Sequence, residues 1–141
     1  MISFFTEDIT FNLSQKQQAK HWLKSLVENE GKKLGTLSVI FCSDAYLLKM
    51  NRQYLQHNYY TDVLTFDYTE GEDIVGDIFI SLDTVRANAF AYKQIFEKEL
   101  FRVIAHGVLH LCGYDDKTSS RRKQMREKED FYLTRLYYRG G

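Results

Sequence analysis

Several residue types are scarce in this chain of 141 residues, which has no proline, only two cysteines and no excess of charge of either sign. With 19 basic and 19 acidic residues the formal net charge is zero, so any binding to a polyanion must depend on a local patch. Cys42 and Cys112 are far apart in sequence, which excludes a Cys-x-x-Cys site and favours two small buried side chains in a reducing compartment.

Long apolar runs are also missing. No segment approaches the roughly 20 apolar residues that a membrane-spanning helix needs. The first eight residues lack the basic start and apolar core of a signal peptide. We therefore expect a cytoplasmic protein without membrane contact, and the length and the 44% of hydrophobic residues predict one globular domain over residues 1–141.

The hydrophobic pattern predicts an α+β fold. The alternation of Ile9, Phe11 and Leu13 is typical of a strand, and Ser14 is the expected cap of a helix that ends near Asn29. Further strands are predicted at 36–42, 63–66 and 74–80, and further helices at 43–52, about 82–92, 97–111 and about 120–138. This order predicts a mixed four-stranded sheet covered by about five helices.

Two histidines on the fourth predicted helix are the strongest functional signal. His106 and His110 are one helical turn apart, so both imidazoles project from the same face and can reach one ion. The packing stripe of this helix lies on another face and consists of Leu100, Ile104, Val108 and Leu111. Gly113 follows as a helix stop, because glycine readily adopts the left-handed conformation that closes a C-terminus. The histidine pair is therefore predicted to lie beside a chain reversal.

The reversal would carry Asp115 and Asp116 towards the histidine pair, where a carboxylate could be a third metal ligand. Zinc accepts two imidazoles and one carboxylate, and a catalytic site leaves its fourth position for water. The alternative is structural: the two histidines could be half-buried and bonded to backbone, and the two aspartates could cap the next helix. The residues alone leave both interpretations open.

The segment 106–115, His-Gly-Val-Leu-His-Leu-Cys-Gly-Tyr-Asp, resembles the signature of the YbeY family of bacterial rRNA maturation factors and single-strand-specific metallo-endoribonucleases. Two further blocks are similar to family segments. The first runs from Leu48 to Phe66 and contains Thr-Asp-Val-Leu-Thr-Phe, and the second is Gly-Asp-Ile-Phe-Ile-Ser at 76–81. The order of the motifs and the length also agree, so the resemblance covers essentially the whole chain.

One position departs from the family pattern. The third metal-binding histidine of the family falls at position 116, where this chain has Asp116. The resemblance thus implies His106, His110 and Asp116 as metal ligands and one zinc ion per chain. A carboxylate in place of an imidazole lowers the net charge of the site. Ions that prefer oxygen ligands then compete better with zinc for the site, so Mn²⁺ or Ni²⁺ could replace it.

The resemblance also implies a role for Arg52, which is expected to face the metal cleft and to hold the scissile phosphate. Arg52 and His106 are therefore the predicted catalytic residues. Glu99 shares the histidine face one turn earlier and could hydrogen-bond an imidazole, although it could equally be an ordinary acidic residue near a helix N-terminus. Asp62 is expected to line the cleft or to have a structural role. Three aromatic residues could stack on unpaired bases or could instead be packing or loop anchors: Tyr54, Tyr59 and Tyr60.

The resemblance implies a metal-dependent endoribonuclease that acts on single-stranded RNA in the 3′-end maturation of 16S ribosomal RNA and in ribosome quality control. The expected partners are ribosomal RNA, small-subunit ribosomal proteins and an assembly GTPase. The alternative hypothesis is a ribosome-associated assembly factor that does not cleave RNA and whose metal site is structural or vacant.

Overall fold

The computed structural model describes residues 1–55 and 61–137, except for the side chains of residues 55 and 137. Tyr59 and Tyr60 lie outside these residues. The described elements follow one another as four strands and five helices: β1 Ile2–Thr6, α1 Lys16–Asn29, β2 Lys33–Cys42, α2 Asp44–Leu55, β3 Val63–Asp67, β4 Asp73–Ser81, α3 Leu82–Ala91, α4 Phe96–Leu111 and α5 Ser119–Tyr137.

The strands form one mixed sheet in the order β1-β2-β4-β3. β1 and β2 are parallel, β2 and β4 are parallel, and β3 pairs antiparallel with β4. The parallel neighbours are connected through helices, as parallel pairing requires, whereas β3 and β4 follow each other through a short turn. The predicted α+β fold with a mixed four-stranded sheet and five helices is confirmed.

α4 is the helix that the other elements surround. Ten of its 16 residues are buried, because it packs on the sheet and also contacts α1, α3 and α5. Its close approach to β4 depends on Gly107, since a Cβ atom there would lie 2.8 Å from Cγ2 of Ile78. The hydrophobic core that includes α4 extends from Ile2 in β1 to Leu136 in α5. The position of the two histidines is thus fixed by the best-packed helix of the fold.

The start of the chain differs from the prediction. The first strand is Ile2–Thr6, and the segment with Ile9, Phe11 and Leu13 is irregular and packs on the core without pairing in the sheet. Alternation alone cannot separate a paired strand from such an extended segment. α1 is also not capped by Ser14: its N-cap is Gln15, in the left-handed conformation and without a side-chain capping bond.

Of the helices within residues 1–55 and 61–137, none is both long and apolar enough to cross a bilayer.

Candidate metal centre

The two histidines of α4 lie together at the edge of the core. Their ring centroids are 5.7 Å apart at an angle of 69°. Both residues are half-buried, while Gly107, Val108 and Leu109 between them are buried against the sheet and neighbouring helices. The sequence prediction that both imidazoles leave the packing face of one helix agrees with this geometry.

The chain reverses directly after α4. Cys112 caps the helix, and Gly113 follows with φ of +112°, a conformation that favours glycine. The reversal brings Oδ2 of Asp116 to 3.7 Å from Nε2 of His106. Asp115 turns elsewhere, because its carboxylate accepts hydrogen bonds from the Lys117 amide at 3.0 Å and from the Arg121 guanidinium at 2.9 Å. Of the two candidate aspartates, the structure thus brings Asp116 to His106.

Tyr114 anchors this reversal from the opposite side. Its hydroxyl donates a 2.6 Å hydrogen bond to the carboxylate of Glu30, at the end of α1. The same carboxylate accepts from the Tyr132 hydroxyl and, at 3.3 Å, from the Lys128 ammonium of α5. The loop that carries Asp116 is therefore tied to both α1 and α5.

A buried carboxylate that the sequence analysis missed holds His106. Oε2 of Glu129 lies 2.7 Å from Nδ1 of the imidazole, and Oε1 accepts a 3.1 Å hydrogen bond from Arg102, which also pairs with Asp130 at 2.7 Å. Glu129 is only 5% exposed. A signal existed in the sequence, because Glu129 falls on the buried face of α5, whose other members are Met125, Tyr132, Leu133 and Leu136.

The sequence analysis left Glu99 as either a hydrogen-bond partner of an imidazole or an ordinary acidic residue near the helix N-terminus. It is 6% exposed and lies on α4 among the residues that line a cleft next to His106. Burial raises the pKa of its carboxyl, against the opposing effect of Arg102. The carboxylate at the Nδ1 atom of His106 belongs to Glu129, and a contact between Glu99 and an imidazole stays a prediction.

The two imidazoles differ in their electrostatic surroundings. Burial alone would lower the pKa of His106, but the hydrogen bond and the charge of Glu129 outweigh it and raise this pKa. Burial and the neighbouring His106 lower the pKa of His110 and so favour its neutral form. Burial also raises the pKa of Asp62. A neutral imidazole is the form that binds a metal.

The donor atoms fit a shared metal ion in part. Ligands on a tetrahedral zinc lie roughly 3.4 Å apart, so Nε2 of His106 and Oδ2 of Asp116, at 3.7 Å, can share one ion. Nδ1 of His106 is engaged by Glu129, which leaves Nε2 as the atom that faces Asp116. Among the side chains of residues 1–55 and 61–137, however, no group of three acidic, histidine or cysteine ligands converges on one point. The geometry therefore supplies a donor pair with His110 as a neighbouring imidazole.

Two clefts flank this pair, and His106, Asp116 and Asp62 line both. The first, here called the α2 cleft, has a volume of about 400 Å³ and is also lined by Asn51, Thr61, Val63, Leu64, Thr65, His110 and Lys117. The second, called the α5 cleft, has a volume of about 300 Å³ and is also lined by Asn88, Tyr92, Glu99, Arg102, Val103, Arg122, Met125, Arg126 and Glu129.

Arg52 lies in the last turn of α2 with an exposed side chain. From this turn of α2, Asn51 lines the α2 cleft. Among the described residues that line the α2 cleft, Lys117 carries the ammonium group. The role of Arg52 in phosphate binding stays a prediction. The sequence analysis did not single out Lys117, which follows Asp116 directly.

Comparisons with known proteins agree with the fold and the motif. The family model described as Endoribonuclease YbeY matches residues 1–137. The chain is similar to "Endoribonuclease YbeY" of Parabacteroides distasonis, with 52% identity over 96% of this chain and 95% of the relative, and to that of Phocaeicola vulgatus, with 50% identity over 92% and 94%. It is also similar to the solution structure of TM1509 from Thermotoga maritima, with a TM-score of 0.69 and 32% identity over 98% of this chain and 90% of the other. The chain therefore belongs to the Endoribonuclease YbeY family.

Proposed function

We propose that this protein is an endoribonuclease that hydrolyses single-stranded RNA with the help of a metal ion bound by His106, His110 and Asp116. Membership in the family supports the endoribonuclease activity. The observation that carries the assignment of the site is the approach of Asp116 to Nε2 of His106 at the boundary of two clefts. A strand of RNA that passes through both clefts would bring a phosphodiester next to this pair.

Zinc is the proposed ion, with Mn²⁺ or Ni²⁺ as substitutes that the carboxylate of Asp116 favours. Such an ion supplies Lewis-acid stabilisation of a phosphate oxygen and lowers the pKa of a bound water. The protein's own part is to orient the reactants. Glu129 holds the His106 ring by its Nδ1 atom, and Lys117 and Arg52 are the proposed cations for the phosphate, because ammonium and guanidinium groups form strong hydrogen bonds with phosphate oxygens.

The proposed substrate is ribosomal RNA, in the 3′-end maturation of the 16S molecule and in ribosome quality control. This role implies a cytoplasmic location and contacts with small-subunit proteins and an assembly GTPase. Without excess charge overall, the protein would select its RNA through the clefts and a local patch. The alternative of an assembly factor that does not cleave RNA is not favoured by the family to which the chain belongs.

The test compares metal content and RNA cleavage in four proteins: the unchanged chain, His110→Ala, Asp116→Ala and Asp115→Ala. Asp115→Ala is the matched control, because this neighbouring carboxylate is bonded to Arg121 and the Lys117 amide. We expect about one zinc per chain and cleavage of single-stranded RNA in the unchanged chain and the control. Both should be lost in the other two variants.

The proposal is wrong if the unchanged chain, supplied with zinc, manganese or nickel, cleaves no single-stranded RNA. Cleavage that persists in His110→Ala and Asp116→Ala would show that these side chains are not the centre of the reaction. Circular dichroism of each variant checks that the loss of activity does not come from loss of the fold.

A further inference from the structure

The α5 cleft combines apolar, aromatic and guanidinium side chains. Its lining includes the buried apolar side chains of Val103 and Met125, which are 3% and 2% exposed. Tyr92, which is 61% exposed, and the exposed Arg126 also line it. Aromatic and guanidinium groups are the surfaces on which unpaired bases stack.

The buried part of this cleft is acidic. Glu99 and Glu129 contribute buried carboxylates beside that of Asp62, and the Arg102 guanidinium is already paired with Glu129 and Asp130. The other guanidinium groups of the lining belong to the exposed residues Arg122 and Arg126. A phosphate placed among the carboxylates would be repelled. Carboxylates instead accept hydrogen bonds from N–H groups, so the cleft favours an uncharged group that carries donors.

The available acceptors narrow the choice of base. Both oxygens of Glu129 are engaged, one by Arg102 and one by His106. With Asp116 assigned to the metal ion, the carboxylates of Asp62 and Glu99 are the acceptors that a ligand in the cleft would meet. The exocyclic amino group of cytosine or adenine has two N–H donors for these acceptors, whereas uracil offers one N–H between two carbonyl oxygens, which the carboxylates repel.

We propose that the α5 cleft is the subsite for an amino-bearing base, on the nucleotide next to the cleaved bond. His106 and Asp116 line this cleft and the α2 cleft alike, so a base in the former places its own phosphate beside the donor pair. The α2 cleft, with Lys117 and the hydroxyls of Thr61 and Thr65, then receives the continuing strand. This inference rests on the proposed function, because it names the part of the RNA that the same site selects.

The first experiment is calorimetric titration of the metal-loaded protein with cytidine monophosphate, uridine monophosphate and ribose 5-phosphate. We expect cytidine monophosphate to bind about tenfold more tightly than either of the others, the size of one specific base contact. Glu99→Gln should abolish this preference, because its amide can donate to the uracil carbonyl. The matched control is Glu97→Gln, on the same helix outside the α5 cleft, which should keep the preference.

Equal binding of the three ligands would overturn the subsite, as would a preference for cytidine that survives in Glu99→Gln. If Glu99→Gln does not fold, Tyr92→Ala is the variant that tests the proposal, because this exposed side chain can be removed without a core defect. Tyr92→Ala should weaken the binding of both nucleotides and leave the binding of ribose 5-phosphate unchanged. Equally weaker binding of all three ligands would contradict the proposal.

Cleavage assays separate this inference from the proposed function. If the protein cleaves single-stranded RNA but binds the three ligands equally, the proposed base subsite is wrong and the proposed function stands. If the protein prefers cytidine monophosphate but cleaves no RNA, the nuclease assignment is wrong and the α5 cleft is a nucleotide-binding site.

Discussion

The imidazole of His106 is oriented by a carboxylate from another helix. Its Nδ1 atom lies 2.7 Å from the buried carboxylate of Glu129, which is itself held by Arg102. Because an ionised carboxylate only accepts hydrogen bonds, Nδ1 is the donor in this contact, and Nε2 is the nitrogen that faces Asp116. A carboxylate behind a metal-binding histidine fixes the ring and makes the other nitrogen a better donor.

We expect Glu129→Gln to lower the zinc affinity of the protein by about 10- to 100-fold, as is typical when the partner of a ligand histidine is lost. The measurement is competition for zinc with a coloured chelator. The matched control is Glu127→Gln, which removes an exposed carboxylate from the same helix and should leave the affinity unchanged. Equal zinc affinity in Glu129→Gln and the unchanged chain would mean that this carboxylate has only a structural role.

Between elements, the carboxylate of Glu30 links the end of α1 to α5 and to the loop after α4. Burial alone would raise its pKa, but the hydrogen bonds from Tyr114, Tyr132 and Lys128 outweigh this effect and lower the pKa. A carboxyl with a lowered pKa in the folded state adds stability above its unfolded pKa, and this stability is lost as the pH falls through the folded value.

We therefore expect Glu30→Gln to reduce the free energy of unfolding by about 1–3 kcal/mol at neutral pH, because a charged acceptor of several partly buried hydrogen bonds is lost. The difference from the unchanged chain should shrink as the pH is lowered below the ordinary pKa of 4.5. Urea unfolding at several pH values measures both effects. Glu28→Gln, an exposed residue of the same helix, is the control, and a difference that does not depend on pH would contradict the role of the Glu30 charge.

The contact of α4 with β4 depends on a glycine. We expect Gly107→Ala to reduce the free energy of unfolding by about 1–3 kcal/mol, because its Cβ would overlap Cγ2 of Ile78 at 2.8 Å. Alanine has the higher helix propensity, which would stabilise the helix by about 1 kcal/mol if the contact were absent. A double-mutant cycle with Ile78→Ala measures this: the cost of Gly107→Ala should become smaller or reverse in that background. If Gly107→Ala reduced the free energy of unfolding by the same amount with and without Ile78→Ala, the overlap with Ile78 would not be the cause of the destabilisation.

At the scale of the whole molecule, the fold and the site depend on different interactions. The hydrophobic core extends from β1 to α5, whereas His106, His110 and Asp116 lie at its edge with partly exposed side chains. A core of this kind does not require a metal, unlike that of small zinc-dependent domains.

We expect removal of metal by a chelator to abolish RNA cleavage and to leave the far-ultraviolet circular dichroism spectrum unchanged. The melting temperature should fall, because an ion that binds the folded state stabilises it by mass action. Readdition of zinc should restore both the melting temperature and the cleavage. Unfolding on chelation would show that the ion is part of the folded structure.

The order of the elements and the pair on α4 were predictable because they depend on local periodicity. The apolar stripe of α4 and the four-residue spacing of His106 and His110 are properties of one helix, and Gly113 ends it through its own backbone conformation. The irregular segment around Phe11 was misjudged as a strand, because pairing in a sheet depends on a neighbour that the segment itself does not specify.

The sequence by itself determined the α+β class and the family, through patterns and motifs that are contiguous in the chain. Only the tertiary structure decided which carboxylate holds the ring of His106. The residue pattern left Asp115 and Asp116 open, and the family motif then pointed to Asp116, whereas no motif pointed to Glu129, which is 23 residues from His106 in sequence. Such contacts arise where separate helices pack, because the relative positions of two elements depend on the whole core and not on either segment alone.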